Sequence, residues 1–179
     1  MKCYLIQQKV KSSGAPVPTI VAISSGDKDL GDAYLMRLIP GESIARKILR
    51  DKKFSEARQK LAFQCGEALA KIHSVNLKDF EQVPKKPIRE ELDRLYLTYK
   101  SFKQPLPVFE YTFKWLDIQN FTTRKDALVH GDFRNGNLII HPKDGISGVL
   151  DWEIFHLGDP YEDLSWICVN SWRYNNINL

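Results

Sequence analysis

The feature that most constrains this chain is a polar loop at residues 129–137, Val-His-Gly-Asp-Phe-Arg-Asn-Gly-Asn, followed closely by Val-Leu-Asp-Trp-Glu at residues 149–153. Residues 138–142 and 146–150 have the apolar character of two short strands. The Pro and Gly between them favour a tight turn, because Pro fixes φ and Gly accepts a positive φ. A hairpin of this size would bring the end of its second strand back beside the loop.

Three polar side chains are then expected to converge, those of Asp132, Asn137 and Asp151. Such a group suits phosphoryl transfer, in which the transferred group is strongly negative and catalysis depends on positioning and charge neutralisation. Because Mg²⁺ prefers oxygen ligands, Asn137 and Asp151 are its predicted ligands, and Asp132 can orient or deprotonate a hydroxyl. Ordinary alternatives are a turn cap, a left-handed backbone position and a strand-end carboxylate in water, respectively.

Three motifs in this order resemble a known enzyme family. They are residues 130–138, residues 149–153, and Gly-Asp-Pro at 158–160 with Asp-Leu at 163–164. The chain is similar to the aminoglycoside phosphotransferase and choline kinase-like family, which are small-molecule kinases of protein-kinase-like fold. With Ser-Trp-Arg at 171–173, the motifs look nearest to the branch that includes kinase-like domains attached to acyl-CoA dehydrogenases.

The resemblance implies an α+β, protein-kinase-like fold. Residues 1–40 would form a truncated N-terminal lobe with the hinge, and residues 41–179 a predominantly helical C-terminal catalytic lobe that is incomplete at its C-terminus. In such kinases the hinge backbone binds adenine, which here falls around Met36, Arg37 and Leu38. The alternative for this segment is a plain buried hairpin that binds no ligand.

The chemistry implied by the resemblance is transfer of the ATP γ-phosphoryl group to a hydroxyl of a small-molecule alcohol, with Mg²⁺ as cofactor. Asp132 and Arg134 would be the catalytic side chains. Arg134 could meet a phosphate or an acidic acceptor, or pair with a nearby carboxylate. Glu153 would share a strand face with Asp151 and could assist a second Mg²⁺. The acceptor stays open among amino sugars, choline-like alcohols and hydroxyacyl-CoA thioesters.

The chain also departs from the family pattern at its start. A whole small lobe has a phosphate-covering loop and an ATP-anchoring Lys on a strand. Here no Gly-rich loop precedes residue 14, and neither Lys2 nor Lys9 lies on a predicted strand. This departure leaves open a catalytically impaired pseudokinase that acts as a binding module. A metal-dependent hydrolase that uses His130 and His141 with Asp132 and Asp151 is a further alternative.

Composition sets only broad limits. An apolar content of 43% and a charged content of 27% are ordinary for one globular domain of 179 residues. A net charge of +4 fits a phosphate-bearing ligand and gives no case for nucleic acid. There is no apolar run of about 20 residues, so we expect no membrane partner. The three Cys have no paired spacing, which indicates core thiols at Cys65 and Cys168 and a cytoplasmic protein.

Periodicity and turn residues predict the remaining elements. Helices are expected at 2–11, 55–75, 88–102, 108–121 and from 161 to about 172, with further strands at 19–24 and 33–39. Tyr96, Tyr99 and Trp115 lie on helices that form part of the acceptor pocket in the related kinases, although an aromatic core stripe is the simpler alternative. Asp163 is predicted to be buried, and the resemblance implies that it braces the catalytic loop.

Overall fold

The computed structural model describes residues 3–119, 121 and 125–174. Its helices are α1 (Cys3–Lys11), α2 (Ala45–Arg50), α3 (Ser55–His73), α4 (Ile88–Ser101), α5 (Pro107–Asp117) and α6 (Tyr161–Trp166). Its strands are β1 (Ile20–Asp27), β2 (Gly31–Met36), β3 (Ala127–Val129), β4 (Leu138–His141), β5 (Gly145–Val149) and β6 (His156–Gly158). The strands form three antiparallel pairs, β1–β2, β3–β6 and β4–β5.

The core lies where α3 packs against the β4–β5 hairpin and β3. Apolar residues recur at helical spacing along α3, and this face is buried. The β4–β5 hairpin buries the alternate residues of β4 and the end of β5, as expected for a strand pair with one covered face. The largest buried side chains are Trp152, Phe54, Phe80 and Phe133. Trp152 and Phe133 therefore tie the predicted site to the core.

Polar contacts fix the turn of the β4–β5 hairpin to the middle of α3. Gln64 donates from Nε2 to the Asp144 carbonyl over 2.8 Å and accepts from the Ile146 N–H over 3.0 Å. The same α3 face donates from Lys60 Nζ to the Lys143 carbonyl over 3.1 Å. The Gln64 side chain thus pairs with both a carbonyl and an N–H group of the turn, and these contacts fix the position of the hairpin on the helix.

The β1–β2 hairpin is mostly exposed, although the segments on either side of it pack on the rest of the molecule. In α1, Ile6 and Val10 are fully buried. After β2, Ser147 Oγ donates to the Pro40 carbonyl over 3.3 Å. The division of the chain near residue 40 remains a prediction, because these contacts join both sides of it.

Several element predictions need correction. The last helix ends at Trp166, and Asn170–Arg173 is a 3-10 turn. Cys168 is exposed and is not a core thiol. Cys65 is partly buried, and burial, with a smaller contribution from Cys168, raises the pKa of its thiol to about 12.

The helix predicted to extend to residue 121 ends at Asp117, and residue 120 lies outside the described residues. Nothing in α5 is buried, which leaves its apolar side chains largely exposed. Within the described part of the chain, every helix is too short or too polar to cross a membrane.

Candidate active site

The loop at residues 130–137, called the catalytic loop below, is held by a buried carboxylate. Asp163 has no exposed surface and comes from α6. Its oxygens accept from the backbone N–H groups of His130 and Gly131, each over 2.9 Å, and from His73 Nε2 over 2.9 Å. The bracing contact implied by the resemblance is therefore present, and α3 contributes to it through His73.

His130 joins the loop to the chain before Asp151. Its Nε2 lies 2.9 Å from the Leu150 carbonyl, and its Nδ1 accepts from the Asp132 N–H over 3.2 Å. A carbonyl only accepts, so the proton is on Nε2 and the ring is neutral. Burial lowers the pKa of His130 and outweighs the opposing effect of the carboxylates of Asp163, Asp132 and Asp151. His130 is thus a structural connector.

Asp132 is surrounded by hydrogen-bond donors. Asn137 Nδ2 donates to Oδ2 over 2.6 Å, and Arg134 Nε lies 2.8 Å from Oδ1 and 3.0 Å from Oδ2. Trp166 Nε1 donates to Oδ1 over 2.7 Å. Arg134 therefore pairs with a nearby carboxylate, which is one of the alternatives that the sequence left open.

These donors set the charge of Asp132. Burial would raise the pKa of this carboxyl, but the hydrogen bonds from Trp166, Arg134 and Asn137 and the charge of Arg134 together hold it below its ordinary value. The side chain is consequently an anion at neutral pH. A carboxylate of low pKa is a weak base, which favours orienting a hydroxyl over removing its proton early.

Asn137 directly precedes β4, and Asp151 follows the end of β5 by two residues. The antiparallel hairpin therefore brings these two positions close together. The Leu150 N–H donates to the Asn137 carbonyl over 2.8 Å, which places the residue before Asp151 directly beside Asn137. Asn137 Nδ2 also donates to the Asp132 carbonyl over 3.0 Å. Both of its partners only accept, so the amide must present nitrogen to them, and Oδ1 remains as a ligand atom.

Asp151 has an exposed side chain and a positive φ of 64°. Asp tolerates this left-handed backbone better than most residues do. Among the described residues, no group of three His, Cys, Asp or Glu side chains could hold a metal by itself. A site of one amide oxygen and one carboxylate fits Mg²⁺, which takes its other ligands from substrate phosphates and water.

The hinge residues predicted to bind adenine lie on the edge of the β1–β2 hairpin. Met36 pairs with Ile20, and the Arg37 N–H donates to the Thr19 carbonyl over 2.8 Å. Leu38 is 89% exposed. The chain then runs onto the β4–β5 hairpin, where Ile39 meets Gly148. The segment thus leads to the same hairpin that ends at Asp151.

Other predicted participants lie elsewhere. His141 pairs through Nδ1 with Asp144 over 2.8 Å at the hairpin turn, so it does not join the Asp132 group. Glu153 lies in a bend and is exposed, so the strand-face argument for it was wrong. A cavity of about 450 Å³ beside β3–β6 is lined by Lys85, Asp126 and neighbours, and its lining includes none of the predicted site residues.

The aromatic helices α4 and α5 pack on one another. Tyr99 is buried, and its ring stacks on Phe113 with centroids 5.5 Å apart. Its hydroxyl donates to Glu110 over 2.9 Å. Tyr96 lines an open cleft of about 330 Å³ between the two helices, and Trp115 is half exposed. Tyr99 is therefore a core residue of this helix pair, whereas Tyr96 and Trp115 remain accessible.

Trp166 is the site residue that sequence reasoning missed. It follows Asp163 by three positions on α6, so the two side chains lie on the same helical face. The signal was available, because a helix whose Asp braces the loop must direct its next turn toward the loop as well.

An Asp-bearing loop, closed by an antiparallel hairpin and braced from a following helix, defines the catalytic part of a protein-kinase-like domain. The chain belongs to the phosphotransferase enzyme family designated APH, whose model matches residues 6–176.

Its curated relatives include acyl-CoA dehydrogenase family member 10 of Mus musculus, 30% identical over 178 residues, and member 11 of Gallus gallus, 30% identical over 175 residues. The alignments cover 93% and 91% of this chain but 16% and 22% of those proteins. The chain therefore spans about a fifth of the length of these relatives, and matches the branch suggested by its motifs.

Solved structures share the protein-kinase-like fold. A Ralstonia eutropha JMP134 protein named as an aminoglycoside phosphotransferase has a TM-score of 0.76 at 24% identity, covering 92% of this chain and 53% of that one. A spectinomycin phosphotransferase in complex with ADP and spectinomycin has a TM-score of 0.64 at 17% identity, covering 99% and 64%. A choline/ethanolamine kinase family protein of Mesorhizobium loti has a TM-score of 0.60 at 20% identity, covering 97% and 56%.

Proposed function

We propose that this chain carries the catalytic centre of an ATP- and Mg²⁺-dependent kinase that phosphorylates a hydroxyl of a small molecule. The observation that carries the proposal is the junction of the catalytic loop with the end of the hairpin. Asn137 contacts the predicted base, Asp132, through its side chain. Its carbonyl accepts from the N–H of Leu150, the residue that precedes Asp151. Family membership supports the same class of reaction.

In this mechanism Asp132 holds the acceptor hydroxyl in line with the phosphoryl group and takes its proton late, as its low pKa requires. Asn137 Oδ1 and the Asp151 carboxylate would hold Mg²⁺, which neutralises charge on the phosphates when bound. Each Asp132 oxygen already accepts two hydrogen bonds. The acceptor hydroxyl must therefore displace one donor, and Arg134 is the candidate because it is shared between both oxygens.

The nucleotide would lie along Met36, Arg37 and Leu38, with its phosphates toward Asp151. Two neighbours of this chain were solved with ADP or GDP bound, together with spectinomycin or kanamycin. The acceptor stays open among amino sugars, choline-like alcohols and hydroxyacyl-CoA thioesters. A phosphorylation screen across these classes separates them.

The first test is nucleotide binding measured by thermal shift, with ATP added in the presence and absence of Mg²⁺. We expect stabilisation only when ATP and Mg²⁺ are both present. A ligand that binds the folded state at 100 times its Kd adds about 2.7 kcal/mol. Asp151→Ala should remove the Mg²⁺-dependent part. Asp144→Ala is the matched control, since this exposed carboxylate on the same hairpin pairs with His141. Wild-type binding by Asp151→Ala would refute the metal assignment.

A nucleotide-binding pseudokinase is the second candidate, favoured by the fully occupied oxygens of Asp132. Turnover decides between the two. We expect Asp132→Asn to abolish phosphorylation while nucleotide binding persists, because the amide keeps the shape and loses the negative charge. A wild-type chain that binds nucleotide with Mg²⁺ but phosphorylates no acceptor would instead support the pseudokinase.

A further inference from the structure

We infer that Trp166 is a positioning residue for Asp132, holding Oδ1 in place while an acceptor hydroxyl displaces Arg134. The inference rests on the proposed role of Asp132 and deepens it. No motif used to recognise the family includes Trp166.

Two donors fix the orientation of the Asp132 carboxylate. Trp166 Nε1 donates to Asp132 Oδ1 over 2.7 Å, and Asn137 Nδ2 donates to the other oxygen over 2.6 Å. The two donors thus hold opposite oxygens of one carboxylate, and together they determine the rotation of its plane. Arg134 reaches both oxygens from a single nitrogen, so its departure leaves that plane defined by Trp166 and Asn137.

The indole of Trp166 takes no part in proton transfer. Indole N–H is a donor only, and it neither accepts a proton nor carries a charge. Trp166 can therefore stay bonded to the carboxylate throughout a proton transfer without competing for the proton. Arg134 differs from Trp166 because it is charged, and Asp132 loses that positive charge when Arg134 turns toward another anion.

Trp166 is itself held in place. It ends α6, three residues after Asp163, and Asp163 accepts from the loop backbone at His130 and Gly131. Its ring lies against Trp172, with centroids 5.5 Å apart. A donor mounted on the helix that braces the loop keeps its distance to Asp132 when exposed parts of the site move.

Two substitutions of Trp166 isolate the donor from the packing. Trp166→Phe keeps an aromatic ring and removes the N–H, whereas Trp166→His keeps a smaller ring that has an N–H. We expect turnover of Trp166→Phe to fall about tenfold, the size of one lost hydrogen bond to a charged group. Trp166→His should recover most of that loss, and KM for the nucleotide should stay within about twofold in both.

Trp172→Phe is the matched control. Within the described residues, Trp172 Nε1 is buried without a hydrogen-bond partner, so the same change removes an N–H that bonds nothing. Because a ring still packs against Trp166 and the Arg134 guanidinium, its turnover should fall less than that of Trp166→Phe. Equal losses in Trp166→Phe and Trp166→His, or a loss in Trp172→Phe as large as in Trp166→Phe, would mean that packing alone matters and would overturn the inference.

A spectroscopic readout works without turnover. In two-dimensional NMR, the indole N–H signal of Trp166 should shift strongly in Asp132→Ala, whereas that of Trp152, which donates to the Val149 carbonyl, should not. An unmoved Trp166 signal overturns the inference whether or not the chain phosphorylates anything. A moved signal in a chain that never phosphorylates supports the contact and counts against phosphotransfer, so the two failures are distinguishable.

Discussion

The catalytic loop and residues 36–38, at the end of the β1–β2 hairpin, were both predicted to bind ligand, and the loop and the hairpin are held in different ways. In the loop, side chains satisfy the backbone, as Asp163 does for His130 and Gly131. In the hairpin, ladder hydrogen bonds join the two strands and Asp27 pairs with the backbone of the turn, while apolar side chains such as Leu30 and Leu35 are 71% and 61% exposed. The loop has its geometry built in, whereas the hairpin presents a backbone edge and an uncovered surface.

The difference explains why the site residues of the loop can be recognised in the sequence and those of the hinge cannot. A backbone held by side chains needs particular residues, so the loop leaves motifs in the sequence. A backbone held by ladder hydrogen bonds accepts many sequences, so a hinge has little signature. Changes that break the side-chain contacts of the loop should therefore cost far more than changes in the hairpin.

The largest effect is expected for Asp163→Ala. It removes a buried carboxylate and leaves the N–H groups of His130 and Gly131 unpaired, so we expect unfolding free energy to fall by about 3–5 kcal/mol. Chemical denaturation measures it.

The control is Asp159→Ala, a change two residues before the same helix begins. Asp159 accepts from the Tyr161 N–H over 2.9 Å, and the loss of such a capping contact costs about 1 kcal/mol. Equal losses in the two variants would show that the brace does not distinguish this loop.

The next effect compares two glycines of positive φ. Gly131 has φ 85°, and a Cβ there would lie 2.8 Å from the Ile154 carbonyl oxygen. Gly26 has φ 71° and open space. Gly131→Ala should therefore combine backbone strain with a steric clash and cost about 2–4 kcal/mol.

Gly26→Ala should cost about 1–2 kcal/mol, from strain alone. The same denaturation experiment measures both variants. If Gly26→Ala were the more damaging, the hairpin would be the more constrained region, and the comparison would reverse.

The sequence predicted most elements because their patterns are local. The apolar spacing of α3, the Pro-to-Gly turn after His141 and the strands on either side of it were all readable. The element ends were less readable. The α6 helix stops at Trp166, although the apolar pattern continues.

The site was readable in part for a similar reason. Asp132 and Asn137 lie five positions apart on one loop, and their contact follows from the local chain. The contacts of Trp166 with Asp132 and of His73 with Asp163 join residues 34 and 90 positions apart. Such partners depend on how helices dock. Asp163 indicated which side of α6 faces the loop, but the atoms that Trp166 and His73 contact could not be predicted. The contact of His130 with the Leu150 carbonyl likewise required coordinates.

A smaller effect should separate stability from ligand binding in the hinge. Leu38 is 89% exposed, so Leu38→Ser should change the unfolding free energy by less than about 0.5 kcal/mol. If adenine lies on this edge, nucleotide affinity should still fall several-fold, because an apolar contact to the base is lost. Isothermal titration with ATP and Mg²⁺ measures it. Leu30→Ser, on the same hairpin but at its turn, should leave affinity unchanged, and a matching loss there would argue against a hinge at residues 36–38.

The smallest effect is local and depends on pH. Asp27 accepts from the Leu30 and Asp29 N–H groups, each over 2.9 Å. These bonds lower the pKa of its exposed carboxyl, and the bond from Leu30 has the larger effect. A lowered folded-state pKa contributes stability above the unfolded value and loses it as pH falls through the folded value, hence below about pH 4.

Because the hairpin lies outside the core, we expect this loss to loosen the turn without unfolding the molecule. The amide NMR signals of Leu30 and Asp29 should titrate in that acidic range, whereas those of Leu61 and Leu69, buried residues of α3, should stay in place. Asp27→Asn should abolish the turn titration. Movement of the α3 signals at the same pH would mean that the hairpin and the core unfold together, and that the hairpin is not independent of the rest of the molecule.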